Sequence, residues 1–345
     1  MTLRLLQAMA GAEVGGAEEF FVRLAIAFAG TDIEQRVIIR RDSARARALR
    51  AGGVEPVELP FGGRMDFRTR PALQREIDRY KPDIVLSWMS RASWATPRSE
   101  RPKGYKLIAR LGGYYDLKYY RHCDYLIGNT EDIVAHIAAQ GFDRDRIVYL
   151  PNFVNPPQRP AISRIGFDTP LDAPLLLAMG RLHENKAFDV LLRALVKLPD
   201  AWLWIAGEGP EAANLSKLAV ELGVNDRVRF LGWRDDSDAL MQACDVFVCP
   251  SRHEPLGNIV LEAWAAEKPV VAAAAAGPVS LIGDDAAGLL VPVDDPDGLA
   301  AGIRALIADP ANAVRLAVEG RRRFEAGYTE GTVVAQYQSF FERVI

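Results

Sequence analysis

The chain has 345 residues, of which 49% are hydrophobic and 25% charged, and this globular composition excludes a disordered or fibrous protein. The formal net charge of −3 is unequally divided, because residues 1–150 hold 24 Lys and Arg against 19 Asp and Glu while the remaining residues hold 18 against 26. We therefore expect the first half to meet an anionic partner, although it lacks the basic runs that would indicate nucleic acid.

The length of the chain suits about two domains. Its first residues do not have the shape of a signal peptide, and no apolar run reaches the roughly 18 residues of a membrane span. These features predict a cytoplasmic protein, with surface contact to the inner face of the cytoplasmic membrane as an open alternative. The cysteines lack the spacing of metal ligands and predict buried thiols in a reducing compartment: Cys123, Cys244 and Cys249.

Strands and helices alternate through the first half, beginning with a predicted buried strand at 3–9. Gly15 and Gly16 lie between this strand and the first helix. Glycines in such a loop let the backbone approach a ligand closely, although their spacing is not that of a dinucleotide-binding loop, and a tight turn is the alternative. The alternation also predicts strands at 35–40, 54–59, 83–88, 106–110 and 124–128, and helices at 68–80 and 130–140. Acidic residues after Thr130 indicate the start of the last of these helices.

Two segments of the first half have unusual compositions. Residues 61–70 are rich in glycine and arginine, which predicts a mobile surface loop that is either simply solvated or in contact with an acceptor or lipid head groups. Residues 110–122 contain four tyrosines after a strand, a pattern that suits stacking on sugar rings, an amphipathic surface or core packing. His122, next to a predicted buried strand, is expected to be structural.

A proline-rich segment divides the chain into two α/β halves. Four prolines fall within residues 151–160, so this segment forms neither a helix nor an inner strand and is the best candidate for a linker. In the second half, a strand at 174–179 is followed by Arg181, Lys186 and a helix predicted at 188–198. Two cations near the start of a helix suit a diphosphate, and surface ion pairs are the alternative.

Further loops of the second half also follow strands. Gly207 follows a predicted strand at 202–206, and Arg234 lies in the loop after a strand at 228–231, where it would meet the base of a nucleotide. The segment 251–264 carries two carboxylates eight positions apart, Glu254 and Glu262, around a turn that opens a helix. The amides of this turn would offer a seat for a phosphate: Leu256, Gly257 and Asn258. Carboxylates beside such a seat suggest a phosphorylated sugar, whereas chance spacing and compensation of the helix dipole are the alternative.

Taken in order, these motifs resemble the retaining glycosyltransferases of family 4, the glycosyl transferases group 1. The resemblance rests on Gly15-Gly16-Ala17-Glu18, on Gly180-Arg181 with Lys186, on Gly207-Glu208-Gly209-Pro210, and on the pair of Glu254 and Glu262 in its Glu-Pro-Leu-Gly setting. It implies the GT-B fold, in which two Rossmann-like α/β domains face each other across a cleft. It also implies an acceptor domain at 1–152 with the returning helix 332–345, a linker at 153–164 and a nucleotide-sugar domain at 165–331.

The resemblance further implies a role for each motif residue. Arg181 and Lys186 would hold the diphosphate and stabilise the departing nucleotide, Glu254 would contact the donor sugar, and Glu262 would accept hydrogen bonds from the ribose hydroxyls. The amides of residues 256–258 would hold the distal phosphate and sugar, and Gly15 and Gly16 would bring the first domain's loop to the sugar. No cofactor or metal is expected, and a UDP-sugar is the expected co-substrate.

One position departs from the family pattern. The family usually has a histidine after the strand that ends here at Arg110, and this chain has Leu-Gly-Gly instead. Asp116 is our candidate for a group that assists in its place, although front-face attack within an ion pair, the mechanism usually proposed for the family, needs no such group. A double displacement would require a carboxylate nucleophile near the anomeric carbon.

The expected acceptor is an anionic or lipid-linked glycan of the bacterial envelope, such as the lipopolysaccharide core or an undecaprenyl-linked sugar. This expectation follows from the basic first half and the tyrosine-rich segment. Two other functions remain open. One is a GT-B sugar-nucleotide 2-epimerase. The other is a catalytically silent nucleotide-sugar-binding protein, and the absence of the family's usual histidine is the reason to consider it.

Overall fold

The computed structural model describes residues 2–12, 15–62, 66–98, 104–284 and 286–345. Its contacts divide the chain into two compact units. Unit 1 comprises Met1–Asn152 and Glu330–Ile345, and unit 2 comprises Phe153–Thr329. In the described part of the chain, no helix has the length and apolar character that crossing a membrane requires.

Unit 1 is built on a seven-stranded parallel sheet of order β3-β2-β1-β4-β5-β6-β7. Its strands are β1 Arg4–Met9, β2 Glu34–Arg40, β3 Pro56–Leu59, β4 Ile84–Trp88, β5 Lys106–Leu111, β6 Tyr125–Gly128 and β7 Ile147–Tyr149. The order reverses between β1 and β4, so the loops after these two strands leave the sheet in opposite directions and open a crevice at its carboxyl edge.

The helices that connect these strands are α1 Gly16–Ala29, α2 Ser43–Ala51, α3 Thr69–Tyr80, α4 Met89–Ala95 and α5 Glu131–Ala139. The hydroxyl of Thr130 caps α5 by accepting a hydrogen bond from the Ile133 amide at 3.2 Å, which confirms the predicted helix start. Asp42 caps α2 in the same way, and its Oδ1 accepts hydrogen bonds from the amides of Ala44 and Arg45.

Unit 2 contains a six-stranded parallel sheet of order β10-β9-β8-β11-β12-β13. Its strands are β8 Leu175–Met179, β9 Trp202–Ala206, β10 Val228–Gly232, β11 Val246–Cys249, β12 Val270–Ala273 and β13 Leu289–Val291. Its helices are α6 Phe188–Leu195, α7 Ala212–Glu221, α8 Ser237–Ala243, α9 Asn258–Ala265, α10 Ala276–Ile282, α11 Pro296–Ala308 and α12 Pro310–Gly327. The order reverses between β8 and β11.

Both faces of this second sheet are covered, which explains why its strands other than the edge strand β10 are continuously apolar. Alternate residues of β8 enter different cores, because successive side chains of a strand point to opposite faces. Leu176 and Ala178 join the cluster formed with α6, α7 and α11. Leu175 and Leu177 join the cluster formed with α8, α9 and α12.

The last helix, α13 Glu330–Val344, belongs to unit 1. Its Tyr337 is fully buried, and the hydroxyl accepts a hydrogen bond from Nε of Arg110 at 2.8 Å. Arg110 is itself buried at the end of β5, with its guanidinium 4.6 Å from the ring centroid of Phe20 and bonded to the side chain of Asn152. The predicted fold class, two Rossmann-like domains with the last helix returning to the first, is therefore confirmed.

Replacing Tyr337 by phenylalanine is expected to destabilise the protein by about 1–3 kcal/mol, because the mutation leaves an Nε–H of the buried Arg110 without its acceptor. Urea unfolding measures the change. Tyr80→Phe is the control, since it removes a hydrogen bond to the Glu34 carbonyl at the surface, where water replaces it, and should cost under about 0.5 kcal/mol. Equal losses of unfolding free energy in the two variants would show that the hydrogen bond to Arg110 stabilises the protein no more than a surface hydrogen bond does.

Six of the described helices and strands were not predicted from the sequence: α2, α4, α7, α8, α10 and β7. Each spans at most ten residues, and α4 follows β4 with no intervening loop. The helix predicted at 188–198 ends at Leu195, and residues 196–198 form a tight turn before Pro199, which disfavours helical conformation in the residue preceding it. The surface loop predicted at 61–70 is shorter in the described residues, because Phe61 is buried and α3 begins at Thr69, while Phe67 is exposed. Gly63–Met65 lie outside the described residues.

Candidate functional site

The candidate site lies at the carboxyl edge of the sheet in unit 2, where β8 and β11 are neighbours and the strand order reverses. Ligands of open α/β sheets bind at such switch points. The loop after β8 carries Arg181 and Lys186, and the loop after β11 carries Glu254. Residues that are about 70 positions apart in sequence therefore meet at one edge of the sheet.

Lys186 and Glu254 form an ion pair between Nζ and Oε2. The Glu254 side chain is 11% exposed and that of Lys186 is 25% exposed, so water screens the pair only partly. Oε1 of Glu254 also accepts a hydrogen bond from the Gly257 amide at 3.4 Å, and its carbonyl accepts one from Gly277 at 2.7 Å. The structure thus brings together Lys186, which was predicted to bind the diphosphate, and Glu254, which was predicted to bind the sugar.

Arg252 connects the loop that carries Glu254 to the loop that carries Lys186, and sequence reasoning did not single it out. Its guanidinium makes two hydrogen bonds to the Asp189 carboxylate, at 2.9 and 2.8 Å, and one to Asp294 at 2.5 Å. It also donates to the Glu184 carbonyl at 2.8 Å, in the short 3-10 turn that carries Lys186. These carboxylates raise the pKa of Arg252, Asp189 most of all, so the side chain stays charged and ties the loop after β11 to the loop after β8.

The turn before α9 contains the predicted amide donors. Gly257 has a φ of 72°, a left-handed conformation that suits glycine, and Asn258 is the first residue of the helix. Because the amide of Gly257 faces Glu254, a carboxylate of the protein already lies at this helix terminus. Glu262 is half-buried, one turn after Asn258 and on the same face of α9.

The loops after β8 and β9 approach each other through glycines. Gly207 has a φ of 143°, and a Cβ at this position would lie 1.9 Å from the carbonyl oxygen of Gly180. The amide of Gly207 donates to the Gly232 carbonyl at 2.7 Å, which links the loop after β9 to the end of β10. Gly207 therefore serves the packing of the loops around the site.

The two arginines predicted to bind donor differ in their surroundings. Arg181 is exposed, and among the described residues it has no ion-pair partner. Arg234 makes a bidentate pair with Asp236, with Nε–Oδ1 at 2.8 Å and Nη2–Oδ2 at 2.5 Å. Its hydrogen bonds lower the pKa of Asp236, so a ligand would meet a neutralised arginine there. Arg181 is the more available cation.

In unit 1, the glycines of the first loop make room for a carboxylate. A Cβ on Gly15 would lie 2.5 Å from Oε2 of Glu18, and the buried Glu18 accepts a hydrogen bond from the Ala12 amide at 2.7 Å. Gly16 begins α1. Sequence reasoning treated this loop as an approach to a ligand and missed that Glu18 folds back to the start of its own helix, although an acidic residue two positions into a helix is the signal for this arrangement.

Asp116 lies on the surface and is engaged by local partners. It makes an ion pair with Lys118 at 2.8 Å and caps a 3-10 turn by accepting a hydrogen bond from the Lys118 amide. These hydrogen bonds lower the pKa of Asp116. His122 bonds the Ser93 carbonyl at 3.1 Å, as expected of a structural histidine. The three cysteines are buried and free, which confirms their prediction as buried thiols.

Of the four tyrosines at 114–120, Tyr120 is buried in unit 1, and Tyr115 stacks on it at a centroid distance of 6.4 Å. Tyr114 is partly exposed and meets the edge of His136. This segment therefore contributes to the core and also presents one aromatic ring to solvent.

Comparison with known proteins agrees with this geometry. Residues 163–323 match the model of glycosyl transferases group 1, and residues 14–158 match that of glycosyltransferase family 4. The chain is 38% identical over 335 residues to the lipopolysaccharide core biosynthesis glycosyltransferase LpsE of Rhizobium meliloti (strain 1021), and the match covers 94% of each chain. The chain belongs to glycosyltransferase family 4.

Other proteins extend the likeness. LpsD of the same strain, also a lipopolysaccharide core biosynthesis glycosyltransferase, is 35% identical over 95% of each chain. The crystal structure of Anabaena HepE in complex with UDP-glucose has the same fold as this family 4 glycosyltransferase, with a TM-score of 0.84 and 19% identity, and the match covers 99% of this chain and 100% of that one. Membership in family 4 favours sugar transfer over epimerisation.

Proposed function

We propose that this glycosyltransferase takes its sugar from a nucleoside diphosphate sugar held by unit 2. The observation that carries the proposal is the group at the switch point. Arg181, which has no ion-pair partner among the described residues, lies in the same loop as Lys186, and Lys186 pairs with Glu254 of the loop after β11. A diphosphate needs fixed cations, and a sugar ring needs a hydrogen-bond acceptor held beside them.

In this proposal, Arg181 and Lys186 neutralise the charge that grows on the diphosphate as its bond to the anomeric carbon breaks. They do so in place of a metal ion. Glu254 accepts hydrogen bonds from the sugar hydroxyls, with Lys186 bridging it to the phosphates. The acceptor oxygen attacks from the face that the diphosphate leaves, and a phosphate oxygen takes its proton. The configuration at the anomeric carbon is therefore retained, without a side-chain nucleophile.

We propose uridine as the base because HepE, a protein of the same fold, was solved with UDP-glucose. The proposed acceptor is a glycan of the lipopolysaccharide core, because LpsE and LpsD carry that function in their names and match the chain over nearly its whole length. Such an acceptor is anionic and lipid-linked, in keeping with the basic first half of the chain.

A donor screen combined with a transfer assay tests these proposals. Thermal shift with nucleotide sugars identifies the base, since a ligand that binds only the folded state raises the melting temperature. Release of UDP is then measured with core oligosaccharides, with Mg²⁺ or with EDTA, and NMR of the product gives the anomeric configuration. Transfer that requires Mg²⁺, or an inverted product, would refute the corresponding proposal. Donor binding without transfer or slow hydrolysis would favour the silent binding protein.

Contact with an anionic membrane through the basic first half is a further proposal. Co-sedimentation with vesicles tests it, because an electrostatic contact requires anionic lipid and weakens with salt. Equal binding to neutral and anionic vesicles would count against it.

Glu262→Ala is expected to weaken donor binding about tenfold, because it removes a carboxylate that accepts hydrogen bonds from two ribose hydroxyls. Isothermal titration with UDP and with the donor measures the effect. Glu221→Ala is the matched control, an exposed glutamate in α7. An unchanged affinity of Glu262→Ala for UDP and for the donor would contradict the proposed contact between Glu262 and the ribose.

A further inference from the structure

A pocket of about 320 Å³ lies within unit 1, and none of the residues assigned to the donor is among its lining residues. Its walls come from the loop after β3, the start of α3 and the helix α4 that follows β4. These segments lie at or near the carboxyl edge of the first sheet. The volume is at the lower end of the roughly 300–1,000 Å³ of small-molecule sites. We call it the aromatic–arginine pocket after Phe61, Phe67, Arg70, Arg91 and Trp94, which line it.

Hydrogen bonds to Asp66 connect the described residues on one side of this pocket. Asp66 accepts hydrogen bonds from the Thr69 hydroxyl and from the amides of Gly62, Arg68 and Thr69, at 2.6–3.0 Å for the amides. The Thr69 hydroxyl contributes most, and together these donors lower the pKa of Asp66 to about 2. Its carboxylate is thus occupied by internal donors. Phe61 has a left-handed φ of 40°, a strained conformation that proteins keep mainly at functional sites.

The side chains around the pocket are exposed in a way that folding does not explain. Phe67 is 81% exposed and Trp94 is 50% exposed, so two large aromatic faces meet solvent beside one cavity. Arg70 has no acidic partner among the described residues, and Arg91 donates only to the Phe61 carbonyl, at 3.3 Å. Asp66 keeps its negative charge, but its hydrogen bonds come from neutral donors. In the described part of the chain, the pocket therefore combines aromatic surface with two guanidinium groups that no carboxylate pairs with.

We propose that the aromatic–arginine pocket binds an acidic sugar residue of the acceptor glycan, with the ring against Trp94 and Phe67 and its carboxylate or phosphate on Arg70 and Arg91. This inference rests on the proposed function and adds a second point of recognition to it. Tryptophan offers a flat apolar face with a polar edge, and arginine matches planar carboxylate and phosphate groups bidentately. A concave site of this size fits one or two sugar rings, whereas a planar layer of lipid head groups would not fill it.

Direct binding tests the inference without any need for transfer. Glucuronic acid, glucose 6-phosphate and glucose are titrated into the full chain and followed by NMR. The two acidic sugars distinguish carboxylate from phosphate, and glucose is the neutral reference. We expect at least one acidic sugar to bind about tenfold more tightly than glucose, the usual advantage of a charge-assisted contact.

The variants are Arg70→Gln with Arg91→Gln, and Trp94→Ala. The double variant should bring the acidic sugars to the level of glucose, and Trp94→Ala should weaken all three sugars. Arg75→Gln is the control, since Arg75 is exposed on the same helix as Arg70 and lies outside the pocket. Melting temperatures establish that each variant folds.

Two results would overturn the inference. One is that the unaltered chain binds acidic and neutral sugars equally. The other is that the double variant binds the acidic sugars as tightly as the unaltered chain does. If the double variant also no longer sediments with anionic vesicles, the pocket is part of a membrane-binding surface. In a transfer assay, the double variant should have a higher KM for the acceptor and an unchanged rate of donor hydrolysis. Absence of transfer by the unaltered chain would refute the proposed function and not this inference.

Discussion

Arg181→Ala is expected to lower kcat about 100- to 1,000-fold, the range found when one preorganised donor to a developing negative charge is removed. Donor affinity should fall less than about tenfold, because the ground-state diphosphate already shares its charge with solvent and with Lys186. The reason for the difference is that charge on the leaving group increases in the transition state. Arg181 is exposed to a ligand and has no competing acid among the described residues.

Steady-state transfer and donor titration separate the two effects of Arg181→Ala. Arg193→Ala is the matched control, since Arg193 is an exposed arginine on α6 of the same unit and should leave both quantities unchanged. Equal losses of turnover and of donor affinity would mean that Arg181 contributes only uniform binding, and the role in leaving-group stabilisation would be withdrawn.

Gly207→Ala is expected to destabilise the protein by about 3–5 kcal/mol, in the range of the most damaging single substitutions. Its φ of 143° is unfavourable for a residue with a side chain, and the added Cβ would lie 1.9 Å from the carbonyl oxygen of Gly180. The collision is with backbone rather than with a flexible side chain, so the loops after β8 and β9 must separate. Urea unfolding followed by circular dichroism measures the loss.

Gly223→Ala is the control for the backbone contribution. Gly223 has a φ of 67°, and nothing lies within 4 Å of a Cβ placed there, so its substitution should cost only the roughly 1–2 kcal/mol of a left-handed residue. The excess in Gly207→Ala then reports the contact with Gly180. Similar losses in the two variants would show that the loops separate without cost and that their close approach does not matter for stability.

The sequence predicted the sheets well because most of the buried strands are short apolar runs, several of which are followed by glycine or proline. The strand 174–179 and the loop that carries Arg181 were found in this way. Short polar helices escaped prediction, as α2 shows: its arginine-rich sequence has no continuous apolar stripe, and its stability comes from the Asp42 cap and from packing on α1. Tertiary packing, which a local pattern does not contain, decides such cases.

The candidate site also depends on tertiary contacts that local sequence patterns do not contain. Spacing identified Lys186 and Glu254 separately, but their ion pair depends on β8 and β11 being neighbours, which sequence order alone does not state. Arg252 was passed over because its two acidic partners are distant in sequence, with Asp189 in the first turn of α6 and Asp294 in the loop after β13. Residue roles toward the donor, including those of Gly16, Asn258 and Asp116, stay predictions.

The return of α13 to unit 1 makes the order of synthesis matter. When Asn152 has been made, the first sheet is complete, but the hydroxyl that satisfies the buried Arg110 belongs to Tyr337. At ordinary translation rates of 5–20 residues per second, the intervening segment takes on the order of 10–40 seconds to appear. During that interval the nascent first domain carries a charged group without one of its acceptors and an uncovered apolar surface. Unit 2, by contrast, is continuous and has all its residues when Thr329 is made, so the domain synthesised second is the first that is able to finish folding.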